Sequence, residues 1–305
     1  MMLSNADLNI ELNSLNALLK NIFADKQNYI SADILDFLSA KSKKLRPVLI
    51  FLFSKALKIP IDDKVYSLAA AVETVHNASL VHDDIIDNAK LRRNKVSLNY
   101  KLGSNLSVLA GDIMLAAALK LLSECRNSEI IQLFASCLYN MCKGEIMQNS
   151  FKGKILSMED YIKKSQYKTA ELFKAALVSL CILKNIPQKS NLEDFALNFG
   201  AAFQLRDDLI NITGKDNSKP SFSDIKNGIY TAPVIYLSED EDIIGMPEDK
   251  IISLAGNVKY AEKTRALIKQ YERKAVHAID FIEDNEYKRE IIKLAESTGS
   301  GGSNK

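Results

Sequence analysis

LVHDDIID at residues 80–87 and FQLRDDLIN at residues 203–211 are the two stretches that decide the fold. Each sets adjacent aspartates among large apolar side chains, as expected of helices. With about 3.6 residues per helical turn, Asp83 and Asp87 share one face of such a helix, while Asp84 points to the side. An ionised carboxylate is costly to bury unless it is paired or binds a metal. Two such helices facing each other are therefore expected to form a cage for hard divalent cations.

The residues around the first stretch indicate the kind of ligand. Magnesium suits carboxylate oxygens, keeps several waters and is usually completed by substrate phosphates. Arg92 and Arg93 follow the stretch, and Glu73 and His76 precede it on the same helix. Arginine is a preferred partner of phosphate oxygens, although ion pairing with the aspartates is the alternative role. A phosphate ester is the predicted substrate.

Further cations and polar groups extend this pattern. Lys43, Lys44 and Arg46 come just before Pro47, at the predicted start of a helix, where the backbone N–H groups favour an anion. A solvated helix start is the alternative interpretation of this cluster. Later candidates are Lys168 with Thr169, and Gln204, which lies one turn before Asp208 on the same helical face.

Composition predicts an all-α protein. The 305 residues include 12 Gly and 6 Pro, and long stretches contain no residue that breaks a helix. The net charge of +2 gives no sign of a nucleic-acid surface. The four cysteines lie in apolar helical contexts without a CxxC pair, which indicates a reducing, cytoplasmic setting. Neither a signal-peptide core nor a transmembrane segment is expected.

Helical periodicity runs through most of the chain. It predicts helices at about 65–87, 105–123, 129–150, 158–184, 191–213 and 230–237, and from 247 to 297. A basic loop is expected from Lys90 to Gly103, and a lid from Ile212 to Asn227. One domain is predicted over residues 1–296, followed by a disordered, linker-like tail at residues 297–305.

Taken together, these residues resemble the trans-polyprenyl (all-E isoprenyl) diphosphate synthases. The matching segments are Ser42-Lys43-Lys44-Leu45-Arg46-Pro47, Glu73 to Asp84, Arg92-Arg93, Ala110-Gly111-Asp112, Gly144 to Gln148, Lys168-Thr169 and Phe203 to Asp208. The order and spacing are most like those of medium- and long-chain bacterial members such as octaprenyl diphosphate synthase. The resemblance implies a bundle of antiparallel helices around a central cavity, and a homodimer.

The resemblance also implies a role for each candidate residue. Isopentenyl diphosphate would be held by Lys43, Arg46, His76 and Arg93. The allylic diphosphate would be held by Arg92, Lys168, Thr169, Gln204 and Lys219. Asp83, Asp87 and Asp207 would be the main ligands of magnesium, with three ions present when substrate is bound. The implied catalytic set is Asp83, Asp84, Asp87, Lys168, Asp207 and Asp208.

The implied reaction is ionisation of the allylic diphosphate, condensation with isopentenyl diphosphate and loss of a proton. Ala78 and Ser79, one turn before the metal face, are small, so a medium-to-long all-E product is expected. Leu119, Leu122 and Phe134 are candidates for the floor of the product tunnel. Peripheral membrane contact for release of such a product is a further expectation.

Four positions depart from the family pattern. Asn211 replaces an aspartate, Ile229 a lysine, and Ser42 and Asn94 replace glycines. Because the change at Ile229 removes a cation, a weakened or regulatory subunit of a heteromeric synthase is the first alternative. A short-chain (farnesyl or geranylgeranyl) diphosphate synthase and a class I terpene synthase are the others. The basic residues expected to hold isopentenyl diphosphate argue against the terpene synthase.

Overall fold

The computed structural model describes residues 8–25, 27, 29–40, 42–93, 95–213 and 222–297. Helices account for most of these residues, which confirms the predicted all-α class. They are α1 (Asn9–Phe23), α2 (Ser31–Ser39), α3 (Leu45–Ala56), α4 (Asp63–Ile86), α5 (Leu98–Leu102), α6 (Ser104–Glu124), α7 (Ser128–Ser150), α8 (Met158–Ser165), α9 (Glu171–Lys184), α10 (Lys189–Thr213), α11 (Ser223–Lys226), α12 (Ala232–Ser238), α13 (Glu248–Ala255), α14 (Val258–Ala278) and α15 (Glu286–Ser297). A π-helical turn, Gln166–Ala170, joins α8 to α9, and a short antiparallel hairpin pairs β1 (Leu91–Arg92) with β2 (Lys95–Val96).

The chain divides into two compact units. The N-terminal unit contains the residues up to Leu133 together with Ser179–Pro187, and the C-terminal unit contains Phe134–Val178 together with the residues from Gln188 onward. Two of the boundaries between the units fall inside α7 and α9. The prediction of one domain over residues 1–296 stays a prediction.

The N-terminal unit is built around α4. The Asp62 side chain caps this helix by accepting a hydrogen bond from the Val65 N–H at 3.1 Å. Because α4 is apolar on most sides, its residues from Leu68 to Val75 are buried, and it packs along the length of α6. The first aspartates stand at the C-terminal end of this buried helix.

The C-terminal unit is built around α10, which packs along α14. Phenylalanine rings reinforce this helix: Phe199 stacks on Phe195 with centroids 5.5 Å apart and meets Phe173 of α9 edge-on at 5.0 Å. The second aspartates lie two turns beyond these rings, so a packed aromatic core supports them.

Among the described residues, one helix has the length and apolar composition of a membrane span. It is α6, whose most apolar stretch is only 39% buried, with Leu106, Leu109 and Leu119 exposed. A core helix or an interface helix can meet the same criteria, so this is weak evidence for a span.

Several predicted elements differ from those observed. The basic loop contains the hairpin and α5, and the helical region from 247 is three helices, α13 to α15. The predicted lid begins with the last two residues of α10, and its described C-terminal part includes α11. Residues 214–221 of the lid lie outside the described residues. Ser297, predicted as the first residue of the tail, ends α15, and the tail from residue 298 lies outside the described residues.

Candidate active site

The first aspartate stretch closes α4. Asp83 is half-buried and Asp87 is exposed at the C-cap, where its N–H donates to the Asp83 carbonyl at 2.9 Å. Asp84 has a different environment and is only 1% exposed. Arg92 on β1 donates to its Oδ1 from Nε at 2.9 Å and from Nη2 at 2.5 Å. Asp84 therefore anchors Arg92, while solvent reaches the carboxylates of Asp83 and Asp87.

Burial and charge oppose each other at this ion pair. Burial raises the pKa of the Asp84 carboxyl, and the hydrogen bonds and charge of Arg92 lower it in part. The alternative role considered for the arginines, ion pairing with a neighbouring aspartate, is present at Arg92. Its Nη1 is not needed for this pair, so the guanidinium can bind a second anion.

A cluster of positive charge surrounds the middle of α4. Arg93 donates to Asn77 Oδ1 at 3.3 Å, and Asn77 donates to the buried Glu73 at 3.3 Å. Burial raises the pKa of Glu73, while the charges of Lys44, Arg46 and Arg93 lower it in part. One carboxylate thus faces several cations, an arrangement that favours an added anion.

His76 belongs to the same cluster. Burial lowers the pKa of its imidazole well below the usual value, and the charges of Arg46, Arg93 and Arg92 lower it further. The ring is therefore neutral at neutral pH and can take part in hydrogen bonds to an anion without adding charge.

Two backbone conformations in this cluster are unusual. Lys44 and Arg93 adopt left-handed φ angles of 43° and 52°. A non-glycine residue pays about 1–2 kcal/mol for this conformation, and such residues collect at functional sites. Lys43, beside Lys44, is exposed.

The second aspartate stretch shows a similar division between carboxylates. Asp207 is exposed, whereas Asp208 is buried. Asp208 accepts hydrogen bonds from the Tyr161 hydroxyl and, at 2.8 Å, from Gln204 Nε2. Gln204 Oε1 in turn accepts from the Thr169 hydroxyl at 2.7 Å. This chain links α8 and the π-helical turn to α10 and holds three of the predicted residues in one arrangement.

Lys168 lies in the π-helical turn and pairs with Glu145 on α7. Gly144 makes this approach close: a Cβ there would lie 2.7 Å from the Lys168 amide nitrogen. At Gly200 on α10, a Cβ would lie 2.4 Å from the Cβ of Ala170. The backbones of α7 and α10 can therefore approach the turn this closely only at glycines. π-Helical turns are frequently found at functional sites.

The N-terminal unit contains a comparable contact at His82. A Cβ on Gly111 of α6 would lie 2.1 Å from His82 Nε2, which also lies 3.4 Å from the Val108 carbonyl and 3.6 Å from Asp112. His82 therefore packs closely against α6 and lies near polar groups of that helix.

Two buried groups were not anticipated from the sequence. Lys164 on α8 and Tyr161, one turn before it, are both buried beside Asp208. The spacing of Tyr161 and Lys164 from Lys168 predicts that the three side chains share one face of a helix. A tyrosine and a lysine fit an exposed helix surface equally well, so this spacing does not indicate that they are buried. Lys219 lies outside the described residues. Asn211 and Ile229 are partly buried.

The carboxylates fit a hard cation that keeps its own water ligands. No group of three or more His, Cys, Asp or Glu side chains able to hold a metal occurs among the described residues. Magnesium is usually held by one or two carboxylates, with waters and substrate phosphates completing the shell. The accessible Asp83 and Asp87 match that requirement better than they match a metal bound by protein groups alone.

Comparisons with known proteins agree with the predicted family. The polyprenyl synthetase family model matches residues 27–270. A decaprenyl-diphosphate synthase from Dictyostelium discoideum is 33% identical over 86% of this chain and 58% of its own length, so the chain spans less than two thirds of that relative. A prenyl transferase from Cyanophora paradoxa is 30% identical over 93% of both chains.

A solved structure shows the same likeness. The polyprenyl synthase from Caulobacter crescentus CB15, complexed with calcium and isoprenyl diphosphate, has a TM-score of 0.89 at 27% identity. The match covers 96% of this chain and 95% of that one. The chain belongs to the polyprenyl synthetase family, which confirms the resemblance of its motifs.

Proposed function

We propose that this protein is a trans-polyprenyl diphosphate synthase, a prenyltransferase that condenses isopentenyl diphosphate with an allylic diphosphate. The observation that carries the proposal is common to both aspartate stretches. In each, an accessible carboxylate stands beside one that is buried and held by fixed partners. Cations of the same unit lie close to each stretch, so each unit offers groups for both a metal ion and a diphosphate.

The metal in this proposal is magnesium, held by Asp83, Asp87 and Asp207, with three ions present alongside substrate. When bound, magnesium supplies positive charge that stabilises the departing diphosphate. A neighbouring structure was crystallised with calcium, another oxygen-binding cation, which supports a divalent metal.

The protein's own groups bind and orient the two substrates. Lys43, Arg46, His76 and Arg93 bind the diphosphate of isopentenyl diphosphate, with His76 acting as a neutral partner. Lys168, Thr169 and Gln204 bind the allylic diphosphate, joined by Arg92 and Lys219. Because Asp208 fixes Gln204 and Asp84 fixes Arg92, these donors are held in place before substrate arrives.

A medium-to-long product is part of the proposal. Ala78 is fully buried in an apolar cluster that includes Phe23, Ile34 and Phe37, whereas Ser79 is half-buried and donates to the His76 carbonyl at 2.8 Å. Neither position carries a large side chain. The name of the decaprenyl-diphosphate synthase relative supports the same length class.

The proposal also includes a cytoplasmic homodimer. The exposed leucines of α6 are the candidate surface for a second copy, and the four free cysteines fit a reducing compartment. The mass of the purified protein in solution tests the dimer. A partner subunit is the alternative role, favoured if the purified chain alone fails to turn over.

One incubation tests the function. The purified protein is given magnesium, labelled isopentenyl diphosphate and geranyl, farnesyl or geranylgeranyl diphosphate, and the products are separated by chain length. We expect label in polyprenyl diphosphates longer than geranylgeranyl diphosphate. Release of a hydrocarbon without consumption of isopentenyl diphosphate would instead identify a terpene synthase, and products that stop at farnesyl or geranylgeranyl diphosphate would identify a short-chain enzyme.

The same assay tests the assignment of the isopentenyl site. Replacing Arg46 by alanine should raise the KM for isopentenyl diphosphate by about tenfold or more, since a charged hydrogen bond is worth about 1.5–3 kcal/mol. The KM for the allylic substrate should change little. Arg126→Ala, at an exposed position, is the matched control. An unchanged KM in Arg46→Ala would remove Arg46 from the site.

A further inference from the structure

Lys164 is a buried cation that forms no ion pair with any carboxylate of the described residues. It lies in the last turn of α8, one turn before Lys168, and is only 4% exposed. Its Nζ lies 4.9 Å from the centroid of the Tyr161 ring. In the part of the chain that the structure describes, no hydrogen bond and no ion pair within 4 Å involves this ammonium group. Cation–π contact with one ring only partly replaces the lost hydration of an ammonium ion.

The neighbouring carboxylates are already bound to other groups. Asp208 accepts from Tyr161 and Gln204, and Glu145 accepts from Lys168 and from Asn149 at 2.9 Å. Burial lowers the pKa of Lys164, the negative charge of Asp208 raises it in part, and the charge of Lys168 lowers it. The ammonium is therefore close to these groups without being paired with one of them.

This arrangement destabilises the protein without ligand and favours the binding of an anion. Removing an ammonium ion from water is costly unless an opposite charge replaces the water. Lys168, the nearest predicted diphosphate ligand, is shared with Glu145. Ile229 carries no charge, and its N–H donates to the carbonyl of Asp224. The negative charge of the Asp224 side chain raises the pKa of Lys164 in part. Lys164 is thus a cation that can bind an anionic ligand beside the second aspartate stretch.

We propose that Lys164 binds the diphosphate group of the allylic substrate together with Lys168. The identity of that diphosphate rests on the proposed function, whereas the anion-binding role rests on the buried, unpaired ammonium. The competing role is structural, with Lys164 serving only to pack its stem and ammonium over Tyr161.

Two variants separate these roles. Lys164→Met keeps a similar volume and removes the charge, and Lys164→Arg keeps the charge. Lys163→Met is the matched control, because Lys163 is the exposed neighbour and its loss changes the net charge equally. The measurements are binding of inorganic pyrophosphate with magnesium by calorimetry, steady-state KM for farnesyl and isopentenyl diphosphate, and thermal unfolding without ligand.

For Lys164→Met we expect pyrophosphate affinity to fall by about tenfold to a hundredfold, the value of one charged hydrogen bond. The KM for farnesyl diphosphate should rise in parallel, while that for isopentenyl diphosphate stays unchanged. The Tm without ligand should be equal or higher, because an unpaired buried charge has gone. Lys164→Arg should retain more pyrophosphate binding than Lys164→Met, and Lys163→Met should behave as wild type.

Unchanged pyrophosphate binding in Lys164→Met would overturn the proposal. A lower Tm together with equal increases in both KM values would also overturn it, by showing a structural role. Pyrophosphate binding does not require turnover, so the test stays separate from that of the function. If the wild type binds pyrophosphate but makes no product, and Lys164→Met loses that binding, the role of Lys164 stands while the synthase assignment fails.

Discussion

At the scale of single residues, adjacent aspartates have different roles. Helical geometry alone predicts that Asp83 and Asp87 share a face and that Asp84 points aside. The sequence does not show what Asp84 would meet, because Arg92 reaches it from a hairpin too short to give a period-two pattern. The candidate residues were predictable from spacing, whereas their partners depend on how the chain turns after α4.

This difference predicts that two substitutions affect different properties, stability in one case and magnesium dependence in the other. Asp84→Asn should lower the free energy of unfolding by about 1–3 kcal/mol, because Arg92 loses a charged, buried acceptor. Asp87→Asn should change stability by less than about 0.5 kcal/mol, since Asp87 is exposed, and should instead raise the magnesium concentration needed for turnover. Urea unfolding and magnesium titration of the rate measure both. A stable Asp84→Asn protein with a normal Asp87→Asn enzyme would contradict this division.

At the scale of elements, the sequence predicts helices well and the way they contact each other poorly. The helices predicted at 105–123 and 129–150 agree within a residue or so with α6 and α7. The helix predicted at 158–184 is interrupted by the π-helical turn. One extra residue in a turn leaves the apolar pattern nearly unchanged, and the close contacts of this turn are with Gly144 and Gly200 on other helices, which the local sequence does not show.

Gly200→Ala should therefore be destabilising although alanine favours helices. Its Cβ would meet the Cβ of Ala170, which cannot move without the π-helical turn, so overpacking of about 1–3 kcal/mol should exceed the gain of up to about 1 kcal/mol in helix propensity. The KM for the allylic substrate should rise, since Lys168 and Thr169 move with the turn. Urea unfolding and steady-state kinetics measure the two effects.

Gly111→Ala is the comparison for that variant. The added methyl group would meet the His82 ring, a side chain that can change its rotamer, so the loss of stability should be smaller. Equal losses of stability in the two variants, or a more stable Gly200→Ala protein, would show that the π-helical turn does not depend on close packing against Gly200.

At the scale of the whole chain, the second aspartate stretch depends on contacts far along the sequence. Arg206, next to Asp207, is only 5% exposed and donates to Glu272 on α14 and to the Ala295 carbonyl on α15. These partners lie 66 and 89 residues away. Neither pairing has a local signal, because a glutamate on an amphipathic helix normally faces solvent. Such contacts limit what the sequence of the site can predict.

The buried pair between Arg206 and Glu272 links α14 to the proposed metal site. Glu272→Ala should lower the free energy of unfolding by about 3–5 kcal/mol, because it leaves the buried Arg206 without its carboxylate. Glu262→Ala, which breaks the exposed pair with Arg265, is the control and should cost about 0–1 kcal/mol. Urea unfolding measures both. Because Arg206 adjoins Asp207, Glu272→Ala should also need more magnesium for half-maximal turnover, an effect absent from the control. Equal stability of the two variants would show that Arg206 does not depend on Glu272, and this pair would then have no part in positioning Asp207.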